Sequence, residues 1–134
     1  MTDIIDEVCD MIEDEMSGIH LVVGAMPPLG GVGIQQSSES IISEYLPRTS
    51  YHRTTIVVNS KDRKQSKALQ NLVDIHRILT KRIGYPCTDD WQITSIRTVN
   101  EPDFLGQEND ESYMYGSAIE VLWYDRLKAV DTPL

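Results

Sequence analysis

Three histidines, His20, His52 and His76, and two cysteines, Cys9 and Cys87, are the side chains here best suited to nucleophilic or metal chemistry. Metal binding needs such donors at helical or turn spacing, as in H-x-x-x-H or C-x-x-C, so that several reach one ion. The histidines are scattered and the cysteines lie 78 positions apart, so both thiols read as buried or idle. Gly30 to Gly33, GGVG, lacks the G-K-[ST] ending of a phosphate loop and the spacing of a dinucleotide turn. No serine sits in a G-x-S-x-G elbow. Adjacent Asp89 and Asp90 read as turn residues before a strand. No catalytic, metal or cofactor-binding residue is assigned on these grounds, and the expectation is a protein that is not an enzyme.

The remaining chemistry is electrostatic. The stretch YLPRTSYHRTTIVVNSKDRKQSKALQ, 45–70, holds Arg48, Tyr51, His52 and Arg53 and then the basic run Lys61, Arg63, Lys64 and Lys67. A grip on single-stranded nucleic acid combines clustered cations with aromatic stacking platforms. This run is interrupted by Asp62 and is poor in aromatics. The charge is also distributed unevenly. The first 47 residues hold nine carboxylates and neither Lys nor Arg, matching the net charge of −9 of the whole chain, and the remainder is neutral. Asp6, Asp10, Glu13 and Asp14 form a candidate acidic face. The alternatives are a solvated surface and an assembly contact, in which identical subunits set the positive patch of one against the negative patch of the next.

These groups must be held by elements that the apolar pattern outlines. Residues 2–17 predict an amphipathic helix, with Ile4, Ile5, Val8, Met11, Ile12 and Met16 at helical spacing, Thr2 as N-cap and Gly18 as stop. His20 to Val23 reads as a short strand, 26–31 (MPPLGG) as a loop, and Gly33 to Glu44 as a further strand. A turn at Pro47 leads into a strand from Tyr51 to Asn59, its apolar end buried and its polar start exposed. A helix from about Ser60 carries the stripe Ala68, Leu69, Leu72, Ile75, Leu79 and Ile83, with His76 at its boundary. Trp91 to Val99 is a strand, EPDFLGQENDES a loop, and Tyr113 to Tyr124 a last strand whose Tyr113, Tyr115, Ser117, Ile119, Val121 and Trp123 face the helices. The tail from about 127 is expected to be mobile.

This order predicts an α+β domain with a mostly antiparallel four- to five-stranded sheet and two main helices packed against it. At 134 residues, with 40% hydrophobic and 25% charged residues, one soluble domain spanning 1–134 is expected. No run of eighteen apolar residues suggests a membrane span, and the acidic start is unlike a signal peptide.

The acidic first helix, the Pro/Gly loop, YLPRTSYHRTTIVVNSKDR, KALQNLVDIHRILTKR and EPDFLGQENDESYMYGSAIEVLWYD together resemble the tailed-phage (siphophage) minor capsid and tail terminator proteins, over about Ile4 to Tyr124. The resemblance implies a virion structural protein without a cofactor. It would form a ring, typically a homo-hexamer, on the end of the tail tube, stop tube polymerisation and offer a joint to the head connector. Its partners would be itself, the tail tube protein and the connector, with DNA passing through unbound and no membrane involved. It would reside in the virion, and in the host cytoplasm during assembly. Arg48, Tyr51, His52 and Arg53 would then form an assembly edge. A head-completion or neck protein is the nearest alternative, and an acidic regulatory module that mimics DNA is a more distant one.

Overall fold

A computed structural model describes residues 4–45, 49–88, 91–109 and 111–126. Two helices and five strands follow one another as α1 (Ile4–Glu15), β1 (Leu21–Val23), β2 (Gly31–Tyr45), β3 (Thr49–Asp62), α2 (Gln65–Thr80), β4 (Trp91–Gln107) and β5 (Tyr113–Arg126). The strands form one sheet in the order β1-β2-β3-β5-β4, with β1 parallel to β2 and every other pair antiparallel. The architecture is the expected α+β fold. The expected N-cap Thr2, the Pro47 turn, Asp89 and Asp90, and the tail lie outside the described residues.

Both helices pack on one face of the sheet because the apolar periods of the two element types meet there. Ile4, Ile5, Val8, Met11 and Ile12 of α1 and Ala68, Leu72, Ile75 and Leu79 of α2 are buried. They close over Val32, Ile34, Ile56, Val58, Ile119, Val121 and Trp123 from alternating strand positions, and over Ile93 and Ile96, which a register shift keeps on the same side of β4. Along β5 the inward set is the one that the alternation predicts.

The largest departures from the expected boundaries lie at the two ends of α2 and at the end of β4. Residues 60–62 stay in β3, paired with Tyr113 to Tyr115, so α2 starts only at Gln65. Asp62 Oδ1 accepts the Lys64 N–H at 2.8 Å and shapes this turn. Leu69 is partly exposed, and Ile83 lies beyond the helix end and is fully exposed. Finally, β4 does not stop at Val99 but runs through EPDFLGQ to Gln107. It does so by four register shifts against β5. Pro102 is tolerated because β4 is an edge strand with no ladder hydrogen bond to lose on its outer side, and bulges absorb the extra residues. Gly106, at φ 148°, occupies one of these irregular positions.

A Cβ on Gly33 would stand 2.4 Å from the Ala25 carbonyl oxygen, so only glycine lets the loop after β1 cross the sheet there. The loop continues over Lys61, whose ammonium donates to the Pro28 carbonyl oxygen at 2.9 Å and to Glu108 Oε2 at 2.7 Å.

Candidate assembly surface

On the face turned away from the helices, alternation brings Arg53, Glu120 and Arg97 together. Arg97 pairs directly with Glu120 across β4 and β5, and Arg53 lies diagonally across from it on β3, beside Leu122. Glu120 is only 3% exposed, whereas the Arg53 and Arg97 side chains are 47% and 68% exposed. Each guanidinium approaches a different carboxylate oxygen through its Nε, Arg53 toward Oε1 and Arg97 toward Oε2. A carboxylate taken out of water needs such partners. One partner would balance its charge, so the second guanidinium leaves an excess of one positive charge. The terminal nitrogens of both arginines have no hydrogen-bond partner among the described residues. The cluster opens into a cleft of about 410 Å³ lined also by Thr55, Thr98 and Val99.

Tyr51 lies on the same face. Its ring meets that of Tyr124 edge-on at 4.7 Å, and its hydroxyl and that of Thr94 are hydrogen-bonded at 2.9 Å. These neighbours fix the ring in the sheet surface.

The stretch 49–62 is not an unpaired sheet edge. β3 is hydrogen-bonded to β2 on one side and β5 on the other from Thr49 onward, so Tyr51, His52 and Arg53 belong to the middle of the sheet. The unpaired edges among the described residues are the outer side of β4 and, at the other end of the sheet, the outer side of β1 continued by that of β2 beyond Ile34. His52 is also not exposed. It points to the helix side, is 8% exposed, and stacks on Trp123 with ring centroids 4.2 Å apart. The expectation of a polar, open start to this strand fails because alternation buries His52 and Thr54 together, with Thr54 Oγ1 accepting the Trp123 indole N–H at 3.0 Å.

The basic run divides. Lys61 is buried under the loop and paired with Glu108. Arg63 and Lys64 are exposed in the turn before α2, and only Lys67 stands on the first helical turn. It is therefore not a patch of four free cations. Arg48 lies outside the described residues. The acidic candidates Asp6, Asp10, Glu13 and Asp14 are all exposed on α1. Glu7 beside them has its pKa raised, first by burial and then by repulsion from Asp10 and Asp6.

His76 is buried in α2, not a boundary residue, and is hydrogen-bonded through Nδ1 to Thr98 Oγ1 at 2.7 Å. Burial lowers its pKa, opposed in part by Glu101. Among the described residues no three His, Cys, Asp or Glu side chains converge as a metal site would require. Glu120 and Arg97 were not singled out from sequence. A lone acid inside the apolar run AIEVLW was the available signal.

No protein-family model matches the sequence, and no curated protein matches it. The fold is similar to that of a chain in the virion of a native gene transfer agent particle. The TM-score is 0.60 at 12% identity, with 89% of this chain and 92% of that chain covered. At that identity the likeness is one of fold.

Proposed function

We propose that this chain is a structural protein of a phage-like virion and, more narrowly, a tail terminator that assembles as a ring on the end of the tail tube. The observation that carries the virion reading is the extent of the fold likeness. It takes in nearly all of both chains, so the whole domain, not an embedded motif, corresponds to a virion building block. The narrower role rests on the sequence resemblance and on a surface suited to repeated contacts, with two unpaired sheet edges among the described residues and acidic and cationic groups on opposite faces. Ring closure needs such non-identical, complementary surfaces on one subunit. The tube protein and the head connector are the partners of this reading, and DNA traverses the ring without sequence-specific contacts.

Deletion of the gene from the genome that encodes it, followed by electron microscopy of the particles, tests this. A terminator predicts tubes that overgrow and fail to join heads. Tubes of normal length beside leaking heads would move the role to the neck, and unaltered infectious particles would overturn the virion reading.

A further inference from the structure

We infer that the Arg53–Glu120–Arg97 cluster is a docking site for carboxylates of a second copy of this chain, supplied by the exposed face of α1. The inference rests on the ring-forming reading above and names the contact.

Both surfaces are electrostatically incomplete. Around the cluster the nearest positions on the same sheet face are Ser40, Tyr51, Thr55, Ser95, Asn100, Ala118 and Leu122, none of them acidic, and the acids Glu101 and Asp103 line the next cleft along β4. The surplus positive charge of the two arginines is therefore not offset within the patch. Nε of each is held by the buried carboxylate, which leaves the four terminal amino groups to the solvent side. Guanidinium groups so held present planar pairs of donors suited to a carboxylate.

The opposite imbalance exists on α1. Asp10, Glu13, Asp14 and Glu15 are exposed and have no ion-pair partner among the described residues. Three of them crowd the last turn, where the helix dipole is negative and a basic residue would be favourable, yet none is present. Asp10 and Asp14, four residues apart, are neighbours on one helix face and repel one another. Two guanidiniums flanking one buried carboxylate match two carboxylates on adjacent helical turns. Docking would relieve the repulsion on each side.

The helix lies on one face of the sheet and the arginines on the other, so one subunit cannot satisfy both, and the contact is head-to-tail. DNA phosphates are the competing anion. Asp10 and Asp14 of α1 are favoured because they are carried on the same chain and have no ion-pair partner among the described residues, and because the net charge of −9 of the whole chain opposes phosphate.

The test uses two variants. Arg97→Gln leaves the neutral Arg53–Glu120 pair intact and so spares the buried charge. Asp10→Asn/Asp14→Asn changes only exposed positions. Circular dichroism establishes that each folds, and native mass spectrometry from low-salt buffer reads their assembly. The wild type is expected to self-associate, with weakening as salt rises. Each variant alone is expected to associate roughly tenfold more weakly or worse, since a charged partner has been removed from a docked pair. Mixed together, the two are expected to form heterodimers, because Arg97→Gln keeps its acidic face and the Asp double variant keeps its arginines. A wild type that stays monomeric, variants that assemble like wild type, or a mixture without heterodimers would overturn the contact. Fluorescence anisotropy with a 20-base-pair duplex provides a further check, and binding that Arg97→Gln abolishes would replace the second copy with DNA. If Arg97→Gln protein enters normal particles, the contact fails while the virion role stands. If wild-type protein is missing from particles, the virion role itself fails.

Discussion

The imidazole of His52 lies nearly parallel to the indole of Trp123, 13° between planes and 4.2 Å between centroids, while the indole N–H donates to Thr54 Oγ1. This stack joins the two central strands on the helix side, and it explains why an apparently exposed histidine belongs to the core.

Trp123→Ala should therefore be among the most damaging single changes, lowering unfolding stability by about 3–5 kcal/mol, the usual cost of deleting a buried large aromatic. Trp123→Phe should cost less, since it keeps much of the ring volume and loses the indole hydrogen bond and part of the stacking surface. Urea titration followed by circular dichroism measures both. Equal and small losses would show that the stack contributes little.

Glu120→Gln removes the anion that holds two arginines side by side. The expected loss is about 1–3 kcal/mol, below the full cost of breaking a buried pair because both guanidiniums are open to water. Raising salt to 0.5 M should recover part of it by screening the Arg53–Arg97 repulsion. A loss unaffected by salt would argue that shape, not charge, is what Glu120 supplies.

Lys61 separates a structural cation from an assembly cation. Its ammonium is enclosed by the Pro28 carbonyl and Glu108. Lys61→Ala should lower stability by roughly 2 kcal/mol or more, because a buried long side chain and its ion pair are lost together. Self-association per folded molecule should be unchanged. Weakened association in a variant of undiminished stability would return Lys61 to the interface.

The sign of the pH dependence follows from His76. Its pKa is lowered in the fold by burial, so the unfolded chain takes up its proton first as pH falls. Stability from this group is complete above the unfolded value of about 6.5 and declines progressively below it, toward the lower folded value. His76→Gln should flatten the change in melting temperature between pH 7.5 and 5.5. An unchanged slope in that variant would assign the effect elsewhere.

Which parts of the molecule were readable in sequence has a physical explanation. The helices and β5 were legible because their burial follows a strict period, as in Val8, Met11 and Ile12 or Ile119, Val121 and Trp123. The second half of β4 was not, because Pro102 and Gly106 signal a turn in any local reading, and only pairing to β5 makes them bulges. The Arg53–Glu120–Arg97 cluster was invisible for a related reason. Its members come from three strands, and strand order places β5 between β3 and β4 although α2 intervenes in the chain. His52 was misplaced because its polar neighbours suggested exposure, whereas alternation alone sets its direction.

The most direct test of the terminator reading is native mass spectrometry of the purified chain, alone and with a tail-tube protein from the same genome, with tube lengths followed by electron microscopy. Rings of this chain bound to tube ends, with tubes held to a limited length, are the expected result. Tubes that elongate freely in its presence, with no bound ring, would contradict it.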